Sequence, residues 1–475
     1  MITARTSAGR RLCRQFSISC TTLSNEQTNP VRGMKDRFGE ENRRFQWIVE
    51  KGGKLATLYG FDQVTTPILE YSQVFERTLG DDSDVVGKEL YTFEDKGGSR
   101  LTMRPEGTAG ITRALISQKL YNDLPQKYYY HGPMFRHERP QKGRLRQFEQ
   151  FGVEVYGQGH ASSDVETIEL ASEFLKSIGL TNTTLEINSL GDSQSRQNYR
   201  TALKDYLLQH VGGLSQDSVN RLSTNPLRIL DSKSPQDIDI LQDCPVLSDY
   251  LSQASRDRFS FITETLSAMH IPYVINPRLV RGLDYYQDTV FEFKVSDSPL
   301  LGAQQGTVLA GGRYDGLVEK MGGPTGVSSI GWAAGLERLS LLVGGLQLVP
   351  EPARPVAVIP VPDRPTSGSR SSSVESATSL TRIHKEALTI CTALREQGIR
   401  TEFMHLAQTV SAKSQLPKQL ARASKLNASH AVIVGTAEIQ EGVLTVKDLD
   451  KSTQQKSSPQ EMVQKLRAEK GLKSL

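Results

Sequence analysis

Between residues 42 and 59, apolar side chains recur at helical spacing (Phe45, Ile48, Val49, Leu55, Leu58), and Gly60 follows as a stop. The pattern predicts a helix ending there. Residues 61–70 are rich in β-branched side chains but carry Pro67 inside the extended run. Proline has no amide to give a sheet, so an edge or interface strand is expected. Strand patterns then accumulate over 91–94, 100–103, 127–134, 146–156 and 183–187, with a helix near 110–121. Hairpin-like spacing favours an antiparallel sheet. From 192 to 271 the pattern turns helical and polar, as in a helical insertion. Strands resume at 289–295 and 305–310, and an amphipathic helix is expected from Ile330 to about Val343. Residues 349–355 read as a linker. Val356 then opens a strand–helix–strand–helix–strand series, a separate α/β domain. Its first crossover, 364–381, is dominated by Ser, Thr, Pro and Gly and is expected to be a flexible surface segment. The fold class is α+β: an antiparallel core spanning 29–191 and 272–348, a helical insertion over 192–271, and an α/β domain over 356–475.

The 475 residues, 37% hydrophobic and 23% charged, suit several packed domains. No apolar run approaches the roughly 18 residues needed to cross a membrane. Net charge is only +4, so any nucleic-acid binding must come from local patches. Cys13, Cys20, Cys244 and Cys391 form no C-x-x-C pair, which argues against a disulfide framework or structural zinc. At the N-terminus Arg5, Arg10, Arg11 and Arg14 precede the first acid, Glu26, among many Ser and Thr. This is transit-peptide composition, and Arg14-Gln15-Phe16-Ser17 resembles a mitochondrial presequence cleavage site. Residues 1–28 are therefore expected to address the chain to the mitochondrial matrix, with plastid or cytoplasm as other destinations. A disordered cytosolic tail is the alternative.

Candidate chemistry concentrates in a few stretches. Over 135–150, Arg136, Arg139, Arg144 and Arg146 crowd a Pro/Gly turn beside Glu138, Glu149 and Glu154. Guanidinium groups match phosphate oxygens as planar, permanently charged forks, so this density suits a polyanion held in one pose. A solvated basic hairpin is the alternative. Residues 279–286 set Arg281 and Asp284 around Gly282 before Tyr285 and Tyr286; if extended, one tyrosine faces the core and the other a ligand. Arg104, Glu106 and Thr108 follow a strand at a Pro/Gly turn, where Glu106 could pair with a ligand amine. Residues 310–317 (AGGRYDGL) have the small side chains needed where backbone passes close to a ligand, or form a simple turn. Glu337 and Arg338 in GLERL could meet a second phosphate, or be a surface pair. Neither a P-loop nor a dinucleotide-binding glycine fingerprint is present.

Together these stretches resemble the class II aminoacyl-tRNA synthetases, and within them the bacterial-type histidyl-tRNA synthetase family. Residues 135–150 are similar to motif 2, residues 331–339 to motif 3, and the strand containing Pro67 to the dimer-forming motif 1. Residues 281–286 and 310–317 resemble the histidine-specific signatures. The resemblance implies a homodimer that uses ATP with Mg2+ to attach L-histidine to tRNA(His) through a histidyl-adenylate. It implies Arg136 at the ATP α-phosphate with Glu138 also on ATP, Arg338 at the γ-phosphate, and Arg281 stabilising charge during transfer. Glu106, Thr108 and Gln150 would hold the α-amino group. Glu154 and Tyr286 would read the imidazole, and Gly107, Arg136, Arg281 and Tyr285 would complete the amino-acid pocket. An imidazole offers one donor and one acceptor when neutral, so a carboxylate and a phenol can read both nitrogens. Gln141 and Arg144 would approach the tRNA 5′ end. The last domain resembles an anticodon-binding module, with Lys413, Lys418, Arg422 and Lys425 following phosphates or simply forming a solvated basic face.

Overall fold

The computed structural model describes residues 28–79, 89–295, 299–301, 306–362, 373–405 and 415–470. The expected transit peptide, Lys413 and residues 364–372 of the Ser-rich crossover lie outside them, apart from Thr28 at the leader's end. The chain divides into two compact units, Met1–Val349 and Pro350–Leu475.

In the first unit α1 (Gly39–Leu58) opens with Glu40 and Glu41, which suit the positive end of a helix dipole, and buries Phe45, Ile48, Gly52 and Ala56. The predicted strand over 61–70 divides into β1 (Asp62–Gln63) and β2 (Leu69–Tyr71), which join different sheets, with Pro67 in the non-strand chain between them. After α2 (Gln73–Leu79), the strands β3 (Tyr91–Glu94) and β4 (Arg100–Met103) complete a three-stranded sheet with β2. Helix α3 (Thr108–Ser117) leads to the long pair β5 (Gln126–Phe135) and β6 (Gln147–Tyr156). There follow α4 (Ser162–Ser177) and β7 (Thr184–Ser189), then the helical stretch α5 (Ser193–Gln209), α6 (Gln216–Thr224), α7 (Pro235–Ile240) and α8 (Gln253–Ala268). The chain returns as β8 (Tyr273–Ile275), β9 (Gln287–Lys294), β10 (Thr307–Arg313), α9 (Leu317–Lys320), β11 (Ser329–Gly335) and α10 (Leu336–Gly344).

The central sheet has eight strands in the order β1-β5-β6-β11-β10-β9-β7-β8. It is mostly antiparallel, but β1 on β5 and β8 on β7 are parallel. One expected helix is corrected: residues 330–335 are strand β11, and only the following turns are helical. This strand is buried between β6 and β10 and built largely from Gly and Ala on one face, so it shows no polar alternation to read.

The second unit carries a five-stranded sheet, ordered β13-β12-β14-β15-β16. Its elements are β12 (Val356–Val361), α11 (Ser373–Glu396), β13 (Thr401–Phe403), α12 (Gln415–Lys425), β14 (His430–Gly435), α13 (Thr436–Glu441), β15 (Leu444–Asp448), β16 (Gln454–Ser457) and α14 (Pro459–Glu469). Residues 373–381 of the Ser-rich stretch belong to α11, a correction to the flexible segment expected there. Lys418, Arg422 and Lys425 are exposed on α12 at helical spacing.

Candidate active site

The two faces of the central sheet differ in kind. One packs Phe151, Val153, Val155, Phe291, Phe293 and Trp332 into the apolar core. On the other, cross-strand register lines up Tyr130, Gly152, Ala333, Ala310 and Glu292 in one row, and Glu154, Gly331, Gly312 and Val290 in the next. Small residues in the middle strands thus leave an open floor between the polar side chains of β6 and those of β9. A side chain cannot be added there: a Cβ on Gly331 would collide with the Glu154 carboxylate, and one on Gly107 with the Tyr130 ring.

At one end of this floor Glu154 is only 1% exposed. Thr108 Oγ1 donates to its Oε1 at 2.6 Å, and the Tyr314 hydroxyl donates to Oε2. Burial pushes the Glu154 carboxyl up to about 8, against the lowering effect of these donors. Glu106 accepts the backbone amides of Thr108 and Ala109, both at 2.7 Å, and so caps the start of α3; burial raises its pKa too. The Tyr130 hydroxyl and Gln150 Oε1 are buried with no hydrogen-bond partner among the described residues. Buried polar atoms are almost always satisfied, so such orphans facing an open floor are the mark of a ligand's place.

Tyr285 and Tyr286 correct an expectation. They are not part of an extended run, the condition for alternating faces: Tyr285 lies in a turn and Tyr286 in the irregular chain just before β9. Both rings are buried, with centroids 4.6 Å apart, and both contact Tyr314. The Arg281 guanidinium lies 5.6 Å from the Tyr286 ring, and its Nη1 is 3.5 Å from Glu292 Oε2.

The other end of the floor opens into a cleft lined by Arg136, Glu138, Arg144, Gln150, Thr307 and Arg338. Arg136 is fixed by its Nε bond to the Pro105 carbonyl at 2.9 Å and lies over the Phe148 ring. Arg144 Nε pairs with Glu138 Oε2 at 2.9 Å, while Arg338 donates to the Thr307 carbonyl. Burial and the Arg144 charge lower the Arg338 pKa. Glu337 also lines the cleft, but its own bonds go to the Glu149 amide, at 3.0 Å, and to Arg37, which binds Glu149 as well. Gln141 is exposed on the hairpin loop, bridged through its backbone to Arg144.

Of the sequence-derived residues, Glu106, Gly107, Thr108, Arg136, Glu138, Arg144, Gln150, Glu154, Arg281, Tyr285, Tyr286 and Arg338 therefore surround one floor and cleft. Glu149 turns instead to Arg37 and Asp284 to Arg196, Gln141 is exposed on the loop, and Lys418, Arg422 and Lys425 belong to the second unit. Tyr130, Tyr314 and Arg196 belong to the same assembly without having been singled out. Tyr314 lay inside a stretch chosen for its glycines, whereas nothing in the tyrosine run 128–130 or near Arg196 distinguishes them in sequence.

Comparison with known proteins gives the same picture. The profile of the histidyl-tRNA synthetase family matches residues 33–339, and that of an anticodon binding domain matches 355–469. Curated histidine–tRNA ligases of Gluconobacter oxydans and Rhodospirillum rubrum are each 46% identical to this chain, covering 90% of it and 95% of their own lengths. The apo histidyl-tRNA synthetase structure from S. aureus superposes with a TM-score of 0.72 at 30% identity, over 92% of this chain and 99% of that one. The Gly/Ala floor, the buried carboxylate at one end and the arginine-lined cleft at the other are thus those of a chain that belongs to the histidyl-tRNA synthetase family.

Proposed function

We propose that this chain is a histidine–tRNA ligase that activates L-histidine with ATP and transfers it to tRNA(His). The observation that carries the reading is the floor itself, with a carboxylate and phenols at one end and arginines at the other. That spacing suits an amino acid and a nucleotide meeting in the middle.

Glu154, oriented by Thr108 and Tyr314, would hold one imidazole nitrogen, and Tyr286 the other. Glu106, Thr108 and Gln150 would receive the α-amino group near the start of α3, with Gly107 giving the room. A histidine carboxylate oxygen then attacks the α-phosphorus. The bond to the β-phosphate breaks, and pyrophosphate leaves from histidyl-adenylate. Arg136 and Arg281 would stabilise the charge gathering on the α-phosphate, and Arg338 would hold the γ-phosphate. In the second step a ribose hydroxyl at the tRNA terminus attacks the acyl carbon and AMP leaves. Glu138 lines the cleft among cations. Mg2+ would arrive with the ATP phosphates, since such ions keep much of their water and bind through few carboxylates.

The second unit's basic α12 supports tRNA contact, as do Gln141 and Arg144 on the exposed hairpin loop. Ile68, Leu69, Tyr71 and Phe93 are large apolar side chains left exposed on and beside the three-stranded sheet, which supports a homodimer through that face. The basic, acid-poor first 25 residues support import into mitochondria, which a fluorescent fusion of residues 1–30 tests.

The deciding experiment is ATP–pyrophosphate exchange with each of the twenty amino acids, followed by aminoacylation of tRNA(His). Exchange with histidine alone, then charging, is the expected result. Absence of exchange from folded protein would overturn the reading.

A further inference from the structure

The loop that carries Arg281, Tyr285 and Tyr286 is held from the helical insertion. Arg196 stands on the first turn of α5, where Asp192 caps the helix by accepting the Ser195 amide at 2.8 Å. From there its fork crosses to the loop. Nη1 donates to the Tyr286 carbonyl at 2.9 Å and Nη2 to Asp284 Oδ1 at 2.8 Å. Arg196 is largely covered, with its side chain 21% exposed. The helix start is itself anchored, since the Asp288 amide donates to the Gly191 carbonyl at 2.9 Å.

We propose that Arg196 is a positioning residue for histidine recognition, fixing the Tyr286 backbone so that the Tyr285–Tyr286–Tyr314 ring cluster presents Glu154 and Tyr286 to the imidazole. This rests on the function proposed above and adds to it a link between insertion and pocket. Arginine suits the task because one rigid group satisfies a carbonyl and a carboxylate together, in fixed relative positions. The ring contacts pass the constraint inward: Tyr286 packs on Tyr285, both meet Tyr314, and Tyr314 bonds Glu154. Arg281 is less dependent on it, because Glu292 on β9 also holds that guanidinium. Loss of Arg196 should therefore loosen amino-acid binding more than nucleotide binding or the chemical step.

The test compares Arg196→Ala, Arg196→Lys and Asp284→Asn in the full chain, by exchange kinetics and by hydrogen–deuterium exchange over residues 279–289. For Arg196→Ala the expected KM for histidine rises roughly 10- to 100-fold, the range for losing a charged hydrogen-bond pair, while KM for ATP stays within about twofold. Arg196→Lys recovers part of the loss, and Asp284→Asn gives a smaller rise. Amides of the loop exchange faster in Arg196→Ala while those of α5 beyond its first turn do not. Unchanged loop protection would sink the proposal whatever the enzyme does, as would equal rises in both KM values. A wild-type protein without histidine-dependent exchange, but with the loop loosened by Arg196→Ala, would instead count against the proposed function.

Discussion

Thr108 Oγ1 and Glu154 Oε1 are 2.6 Å apart, so the first residue of α3 and the C-terminal part of β6 share a single buried hydrogen bond. With the Tyr314 hydroxyl on the other oxygen, Glu154 is held at both ends before any ligand arrives. Preorganisation of this kind predicts that Thr108→Val raises KM for histidine by roughly 2- to 10-fold, the worth of one neutral hydrogen bond. Thr108→Ser should recover most of it. Steady-state exchange kinetics check both, and a Thr108→Val enzyme with wild-type KM would remove Thr108 from the site.

The same carboxylate makes stability depend on pH. Its folded value of about 8 lies above the ordinary 4.5, so between those limits the folded chain holds a proton that the unfolded chain has lost. Stability from this group is fully present below the ordinary value and falls as pH rises through about 8. Glu154→Gln should flatten this slope, as read from urea midpoints at pH 5 to 8.5. An identical slope in the variant would show that Glu154 ionises normally.

Arg313 and Asp164 form a fully buried ion pair, with Arg313 also bonded to Asp315 at 2.9 Å and Ser163 at 2.8 Å. Removing only the cation strands a carboxylate, so Arg313→Ala should cost about 3–5 kcal/mol in urea unfolding. Arg258, 3.1 Å from Asp164, partly compensates and places the effect at the lower end. Asp164→Asn in the Arg313→Ala background should restore part of the loss, and no restoration would mean that packing, not charge, dominates there.

On the second unit, Lys418→Glu combined with Arg422→Glu should weaken tRNA binding and reduce the slope of log affinity against log salt by roughly 1–2. ATP–pyrophosphate exchange should be unaltered, since it needs no tRNA. Filter binding at several salt concentrations measures the first effect, and unchanged affinity would leave α12 as an ordinary solvated face.

What could be read from the chain beforehand follows from how local each signal is. The helix α1 was legible because Phe45 and Ile48 of its stripe are buried with Val49 and Leu55 packed beside them, although Leu58 is left exposed. The strands at 91–94 and 100–103 were legible from their local composition, since burial in β3 does not alternate. The β11 strand was not, because Gly331, Ala333 and Gly335 present neither hydrophobic nor polar contrast. The arginines of the cleft declared themselves by crowding in one stretch. Tyr314 and Arg196 could not: their partners lie 160 and about 90 positions away, and only the fold brings them together.

The Gly/Ala floor sets the direction in which this pocket can be redesigned. The boundary there is main chain, so nothing on the floor remains to be trimmed, and the usual large-to-small exchange has to act on the rings around it. Every substitution at Gly331 or Gly312 subtracts room and brings a methyl group against Glu154 or Tyr286. Selection for new cargo therefore gains no room from the floor, and enlargement falls to the rings of Tyr130, Tyr285, Tyr286 and Tyr314, at the expense of the contacts that position Glu154.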